Sequence, residues 1–134
     1  MIFLDSSFIV AYYNEDDSLH EKALSIAKEI AENKYGTSVI TDYVFSETVT
    51  VIMLKAKMLE PAAEAGERIL NSTFMINTDH QLVLDSFETF KKQGKPKLSF
   101  IDCSIIAVCN ANGIANIATF DKALKEASGL NVID

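Results

Sequence analysis

The hydrophobic positions of this chain follow two patterns that alternate along the sequence. Short apolar runs of strand length occur at MIFL, GTSVI, TFMI, IANIAT and LNVI. The segments between them repeat their apolar residues every three or four positions, which is typical of amphipathic helices. One such segment is marked by Leu19, Ala23, Ile26, Ala27 and Ile30. The pattern therefore predicts five strands that alternate with helices.

The predicted helices have start and stop signals in the sequence. Ser18 and Glu21 have the spacing of a capping box, Thr41 and Thr78 precede apolar periodic segments, and Gly113 follows one. We expect helices over residues 7–13, 18–30, 41–58, 61–70, 78–92 and 102–112, and a short helix after residue 121. Strands that alternate with helices form a parallel sheet with both faces covered. The predicted fold is therefore α/β, a three-layer sandwich with a central parallel sheet of about five strands and helices on both faces.

Length and composition narrow the class of protein. A chain of 134 residues is the size of one domain, so we expect a single domain over residues 1–134. The net charge of −7 argues against electrostatic coating of nucleic acid, but it allows a nucleic-acid enzyme whose acids are concentrated in a metal pocket. Asp5 interrupts the first apolar run, and no apolar segment approaches the roughly 20 residues of a membrane span. We expect a cytoplasmic protein without a membrane segment, in which Cys103 and Cys109 are reduced and buried.

Two acidic residues follow predicted strands. Asp5 comes directly after the first strand, and Asp121 comes two residues after Thr119, which ends the fourth. Ligand sites of open α/β sheets form beyond the carboxyl ends of the strands, where the strand order reverses. Both residues are also suited to cap the helix that follows, so neither position alone identifies a site.

Two further acidic residues lie in apolar helices. Glu47 is in DYVFSETVTVIMLK, which is apolar on every side and is therefore expected to be buried. Asp102 precedes CSIIAVC, which has no charged face, although Ser99 three residues earlier allows a capping box. A buried carboxylate costs several kcal/mol unless it is paired, coordinated or protonated. Convergence of the four acids on a divalent cation removes this cost, and Mg²⁺ prefers oxygen ligands.

The order and spacing of these acids resemble those of the PIN domain, a metal-dependent ribonuclease fold. The matching positions are Asp5 in FLDSS, Glu47 in VFSET, Asp102 in LSFID and Asp121 in ATFDK. Small hydroxyl residues of the family pattern are matched by Ser6, Ser99 and Thr119. The resemblance extends over nearly the whole chain. It departs from the family at the start of the Glu47 helix, where a proline is common and this chain has Asp42 and Tyr43.

A stand-alone PIN domain of this length is most similar to the toxin of a VapBC-type toxin–antitoxin pair. The resemblance implies an RNA substrate, Mg²⁺ or Mn²⁺ as cofactor, a cognate antitoxin and a homodimer. It also implies that Asp5, Asp102 and Asp121 hold metal directly or through water, and that Glu47 holds metal or orients the attacking water. The number of metal ions stays open.

Three alternatives remain. A haloacid-dehalogenase-like phosphotransferase requires a second acid two residues after the first, where this chain has Ser7. A receiver-like phosphorylation switch requires an aspartate at the end of the third strand, where this chain has Asn77. A PIN-like interaction module without strong catalysis is the third. The lysines of KKQGKPK, residues 91–97, are compatible with RNA guidance and with a solvated helix end.

Overall fold

A parallel sheet of five short strands forms the centre of the molecule. A computed structural model describes residues 1–134, and its strands are β1 (Ile2–Leu4), β2 (Ser38–Thr41), β3 (Phe74–Ile76), β4 (Asn116–Ala118) and β5 (Asn131–Ile133). All neighbouring pairs are parallel, and the strand order is β3-β2-β1-β4-β5. The five predicted strands are therefore confirmed, with β1 at the centre of the sheet.

Seven helices connect and cover the strands. They are α1 (Ser6–Tyr13), α2 (His20–Ala31), α3 (Asp42–Ala56), α4 (Glu60–Ser72), α5 (His80–Lys92), α6 (Phe100–Asn112) and α7 (Lys122–Ala127). Parallel crossover connections are right-handed almost without exception. From β1 the chain moves to β2 and then β3 on one side, so α1 to α4 cover one face. It then crosses back to β4 and β5, so α5 to α7 cover the other face. The predicted three-layer α/β sandwich is confirmed.

The core lies between the central strands and the helices on both faces. Ile2, Phe3, Val39, Ile40 and Ile117 of β1, β2 and β4 are fully buried. Both cysteines are buried in α6, and burial raises the pKa of the Cys109 thiol to about 12. A thiol with such a pKa is protonated at neutral pH and inert. The longest helices are also too short, or too polar, to cross a lipid bilayer.

Two of the predicted helix starts are wrong. The capping box of Ser18 does not form, because α2 begins at His20 and the N-cap residue is Leu19, which has no side-chain cap. The N-cap of α5 is Asp79, whose carboxylate accepts from the backbone N–H of Leu82 at 2.8 Å. Thr78 instead donates its hydroxyl to Asp42 Oδ1 at 2.5 Å. A hydrogen bond between distant segments thus replaces the local cap that the sequence predicts.

The expected burial of α3 on every side is also wrong. Only Val44, Thr48 and Ile52 of this helix are buried, and Leu54 is 65% exposed. The helix packs against α1 and α4 on one side, which leaves its other apolar face at the surface. The apolar composition of α3 therefore does not place the whole helix in the core, because part of its apolar surface is exposed to solvent.

The predicted end of α6 is confirmed, but the helix begins at Phe100, two residues before the predicted start. Ser99 is the N-cap and forms a reciprocal capping box with Asp102, and Gly113 ends the helix in the left-handed region at a φ of 64°. No atom lies within 4 Å of the position that a Cβ at Gly113 would take. A side chain there would be strained by its backbone conformation alone.

We expect Gly113→Ala to destabilise the protein by about 1 kcal/mol, because a left-handed residue with a Cβ costs roughly 1–2 kcal/mol. This lowers the melting temperature by roughly 2–8 °C for a domain of this size. The matched control is Gly94→Ala, since a Cβ at Gly94 would also meet open space and Gly94 has no positive φ. Thermal unfolding followed by circular dichroism measures both variants. Equal melting temperatures for the two variants would contradict the strain at Gly113.

Candidate active site

The candidate site lies at the carboxyl ends of β1 and β4, where the strand order reverses. The connection from β1 leads to one side of the sheet and the connection from β4 leads to the other, so their helices diverge and leave a crevice. The register pairs Leu4 with Ala118, and the backbone N–H of Asp5 donates to the Ala118 carbonyl at 3.0 Å. The residues that follow the two strands, 5–7 and 119–121, therefore meet in this crevice.

Asp5 is a buried carboxylate held by two hydroxyl groups. Its side chain is 4% exposed, and its Oδ2 accepts from Ser7 Oγ at 2.5 Å and from Thr119 Oγ1 at 2.7 Å. The backbone N–H of Ser7 donates to the same oxygen at 3.3 Å, so Asp5 is also the N-cap of α1. The capping interpretation of Asp5 is correct, but it does not explain the burial of a charge.

Burial raises the pKa of the Asp5 carboxyl above its usual range. The hydrogen bonds from Ser7 and Thr119 oppose this rise because they favour the ionised form, and the negative charge of Asp102 adds to it. The negative charge of Asp102 makes the smallest of these contributions to the pKa of Asp5.

Thr119 connects Asp5 to Asp121. Its hydroxyl donates to Asp5 and accepts from the backbone N–H of Asp121 at 3.0 Å. The Asp121 carboxylate is the N-cap of α7 and accepts from the N–H of Leu124 at 2.8 Å through Oδ1. Asp121 is half-buried, and its Oδ2 accepts no hydrogen bond from the protein.

Ser6 connects the Asp5 segment to Glu47. The Ser6 hydroxyl donates to Glu47 Oε2 at 2.6 Å, which joins α1 to α3 beside the crevice. Glu47 is half-buried, so the full burial predicted for it is wrong, since α3 has an exposed face. A serine partner and partial solvent contact satisfy a carboxylate that the sequence alone shows as isolated.

Asp102 is fixed at the start of α6 by its capping box. Its Oδ2 accepts from the backbone N–H of Ser99 at 2.8 Å, and its own N–H donates to Ser99 Oγ at 3.1 Å. Ser99 is exposed and Asp102 is half-buried, and the hydrogen bonds of the Asp102 side chain do not reach the other three acids.

The four carboxylates share one feature with ordinary helix caps such as Asp79, whose Oδ1 alone accepts a hydrogen bond. In each of them a single oxygen accepts all of the protein hydrogen bonds, while the other accepts none: Asp5 Oδ1, Glu47 Oε1, Asp102 Oδ1 and Asp121 Oδ2. No three acidic, histidine or cysteine side chains are close enough together to bind one metal ion as they are placed. Binding of one cation by these acids would therefore need water between some of the carboxylates and the ion, an arrangement that Mg²⁺ accepts with one or two direct carboxylate ligands.

Ser7 is a site residue that the sequence analysis missed. Its hydroxyl donates to Asp5, accepts from the backbone N–H of Phe120 at 2.9 Å and lies 3.2 Å from Thr119 Oγ1. It thereby ties the start of α1 to the segment after β4. The sequence shows Ser7 only as the position where a haloacid-dehalogenase-like protein would have a second acid. Its role could not be predicted, because its proximity to Thr119 depends on the pairing of β1 with β4.

Two grooves border the crevice and meet at the hydrogen bond between Ser6 and Glu47. A groove of about 230 Å³ on one side includes Ser6, Ser7 and Lys55 in its wall. A groove of about 450 Å³ on the other side includes Glu47, Tyr43 and Phe100. Ser6 therefore lines one groove, its hydrogen-bond partner Glu47 lines the other, and Val51 lines both.

An α/β sheet with acidic side chains grouped at its reversal point is an architecture suited to binding cations and phosphate groups. The sequence model of the PIN domain matches residues 2–130, so the chain belongs to the PIN-domain family. This assignment replaces the haloacid-dehalogenase-like and receiver-like alternatives.

Two proteins of similar sequence are named as nucleases. The 23S rRNA-specific endonuclease VapC20 of Mycobacterium tuberculosis is 26% identical over 132 residues, which covers 98% of each chain. A VapC ribonuclease of Archaeoglobus fulgidus is 28% identical over 92 residues, 66% of this chain and 56% of that protein.

Solved structures agree with the fold. The crystal structure of M. tuberculosis VapC20, described as a toxin that cleaves the sarcin–ricin loop, superposes with a TM-score of 0.83 at 23% identity and covers 95% of both chains. A protein of Pyrobaculum aerophilum superposes with a TM-score of 0.69 at 15% identity, over 98% of this chain and 87% of that one. At these identities the superpositions establish the shared fold.

We expect Asp5→Asn to raise the melting temperature in chelator at pH 7.5. The raised pKa of Asp5 means that the folded state binds its proton more tightly than the unfolded state, so ionisation at neutral pH costs stability. The amide has the same shape, can still accept the Ser7 and Thr119 hydrogen bonds, and carries no charge. Each kcal/mol of destabilisation that the substitution removes should raise the melting temperature by roughly 2–8 °C.

The difference in melting temperature between Asp5→Asn and the wild type should shrink as the pH falls through the raised pKa of Asp5, because the wild-type carboxyl then becomes protonated. Asp16→Asn is the control, since Asp16 is exposed and its carboxylate accepts no hydrogen bond. A variant of Asp5 that melts at or below the wild-type temperature throughout this pH range would show that the ionised carboxylate stabilises the fold.

Proposed function

We propose that this chain is a divalent-metal-dependent endoribonuclease of the VapC type. The observation that supports this most is Asp5, a carboxylate buried at the reversal point of the sheet, with one oxygen fixed by hydroxyls and the other free of protein partners. A charge is retained in such a place when it has a function that offsets its desolvation cost. The proposal is further supported by the family, whose similar members include an rRNA-specific endonuclease and a ribonuclease.

Mg²⁺ or Mn²⁺ is the proposed cofactor, and Asp5, Asp102 and Asp121 are the residues proposed to hold it, directly or through water. When bound, such a cation would orient the scissile phosphate, offset its charge and favour in-line attack by water. The contribution of Asp102 to the raised pKa of Asp5 is consistent with this set, because a cation that binds both acids would offset their repulsion. Ser7 and Thr119 would keep the free oxygen of Asp5 directed into the crevice.

Glu47 is the residue that we assign to positioning the attacking water. Ser6 holds its Oε2, which leaves Oε1 free at the edge of the larger groove. A carboxylate fixed by one hydrogen bond presents its second oxygen in a defined direction, as a group that orients or deprotonates water requires. Ser99 supports the site in a similar way, because it fixes Asp102 through the capping box.

We expect the purified protein to cleave RNA in the presence of Mg²⁺ or Mn²⁺, and we expect this cleavage to stop when a chelator is added. Asp5→Asn and Asp102→Asn should reduce the rate by on the order of 100-fold or more, since metal ions supply several kcal/mol of transition-state stabilisation. Glu126→Gln is the matched control, because Glu126 is exposed on α7 and lies outside the site. Gel analysis of a labelled RNA, with circular dichroism to verify folding, measures these rates.

Cleavage that continues in chelator, or at the wild-type rate in both aspartate variants, contradicts this mechanism. The PIN-like interaction module remains as the alternative if the wild-type protein binds metal but does not cleave. In that case Mg²⁺ should still raise the wild-type melting temperature, because binding to the native state stabilises it.

We also propose that the protein functions in the cytoplasm as the toxin of a toxin–antitoxin pair and forms a homodimer. The support is the similarity over 98% of the chain to VapC20, whose structure is described as that of a toxin. A cognate antitoxin can block an acid-lined crevice with an arginine, whose planar fork pairs with carboxylates in bidentate geometry.

We expect the product of the neighbouring gene to co-purify with this chain and to inhibit RNA cleavage. Replacement of its crevice-binding arginine by glutamine should restore cleavage while the complex persists, if the arginine blocks the carboxylates. Size-exclusion chromatography and the cleavage assay together measure the two effects. A stable complex that remains fully active would contradict inhibition through the crevice.

A further inference from the structure

The groove of about 230 Å³ starts at the candidate site and ends at a lysine. Its wall includes Ser6 and Ser7 at the start of α1, and Phe120 directly before Asp121. The other end of the wall is Lys55, in the last turn of α3. Among the five main grooves of the surface, this one alone has a basic residue in its wall. The groove therefore joins the edge of an acidic site to a positive charge.

The position of Lys55 on α3 relates it to the site. Glu47, Val51 and Lys55 lie on one face of this helix, because they follow one another at spacings of four residues. The distance from Glu47 to Lys55 along the helix axis is about 12 Å, since an α-helix rises roughly 1.5 Å per residue. The ammonium group also moves on a flexible four-carbon stem. A phosphodiester chain with one phosphate at the site can thus bring a neighbouring phosphate to Lys55.

Lys55 has a weak internal partner in Asp17, which belongs to the turn between α1 and α2. Lys55 Nζ lies 3.8 Å from Asp17 Oδ2, and the two side chains are 52% and 19% exposed. An ion pair this long and this exposed contributes little to stability. Asp17 does not depend on the lysine, because its Oδ1 accepts from the backbone N–H of Leu19 at 2.9 Å. An external anion can therefore replace Asp17 at Lys55 without leaving a buried charge unpaired.

We propose that Lys55 binds an RNA phosphate adjacent to the scissile one, and that Asp17 holds this lysine in the groove until the phosphate displaces it. The inference rests on the proposed nuclease function and adds a substrate-binding residue to that site. The site carboxylates repel the RNA backbone, and a lysine in the adjoining groove offsets part of this repulsion. An ammonium group is suited to this contact, since it pairs with phosphate oxygens as a compact point charge.

The alternative is that the ion pair only fastens the turn between α1 and α2 to the end of α3. In that case either substitution breaks the same contact, so Lys55→Gln and Asp17→Asn should have the same effect. The proposal requires opposite effects on RNA binding, because the lysine attracts the phosphate and the aspartate competes with it. The direction of the two changes therefore distinguishes a phosphate-binding residue from a structural ion pair.

The test is fluorescence anisotropy of a labelled single-stranded oligoribonucleotide in chelator, where cleavage does not interfere. We expect Lys55→Gln to weaken binding roughly 3- to 10-fold, between the effects of an exposed ion pair and of a charge-assisted hydrogen bond. The slope of log affinity against log salt concentration should decrease by about 0.7, the value for one phosphate contact on a single strand. Asp17→Asn should strengthen binding by a similar factor, and most of this gain should disappear in the double variant.

The ion pair of Lys34 with Glu29 supplies matched controls. Its atoms are 2.8 Å apart, and its side chains are 56% and 39% exposed. Lys34 lies before the amino end of β2, at the opposite end of the sheet from the site. Lys34→Gln and Glu29→Gln change the net charge by the same amounts as the test variants. Each should alter RNA binding by less than about twofold, because charges that far from the groove are screened at about 0.1 M salt.

Melting temperatures verify that each variant folds. Wild-type affinity in Lys55→Gln overturns the inference, and so does weaker binding by Asp17→Asn, which assigns the pair to the fastening of the turn. If Lys55→Gln weakens only the complex with a partner protein, the lysine is a protein contact and the inference is wrong. Absence of RNA binding by the wild-type chain also overturns it. Failure of the nuclease proposal is a separate result, namely RNA binding with these effects but without metal-dependent cleavage.

Discussion

The buried carboxylate of Asp5 is the constraint on which the arrangement of the site depends. An ionised group that is 4% exposed needs hydrogen-bond donors, and two of them are the hydroxyls of Ser7 and Thr119. Thr119 reaches Asp5 only because β4 pairs in parallel with β1, although the two residues are 114 positions apart in sequence. The parallel pairing of β1 with β4 is therefore what brings the Thr119 hydroxyl to the Asp5 carboxylate.

Much of the fold is readable from the sequence because its signals are local. Short apolar runs predict the strands, Gly113 ends α6, and Thr41 caps α3 with a hydrogen bond from the Val44 N–H at 3.3 Å. The order of the four acids also identifies the family without any three-dimensional information. The misses concern tertiary contacts: Thr78 donates to Asp42 instead of capping α5, and the exposed side of α3 depends on which helices happen to cover it. Ser7 was missed for the same reason, since its partners follow β4.

Capping and ligand binding are compatible functions of the same acids. Asp5, Asp102 and Asp121 each cap a helix, as the simpler interpretation of the sequence predicts. A cap uses one carboxylate oxygen and leaves the other free, and the helix holds that free oxygen in a fixed direction. In the proposed metal site, this local structure would pre-orient the free oxygens, and a rigid support of this kind lowers the entropic cost of binding.

The distribution of the site along the chain has a consequence for its synthesis. Asp5 and Ser7 lie near the amino end, while Thr119 and Asp121 lie within the last 16 residues of 134. Domains begin to fold during translation from the amino terminus. Strand β1 pairs with β2 and β4, and β4 is the later of these two strands in the sequence. A growing chain thus carries Asp5 without the hydroxyl that completes its environment until β4 has left the ribosome. Premature termination before residue 119 would therefore leave a product that lacks Thr119 and Asp121 and in which the crevice cannot be assembled.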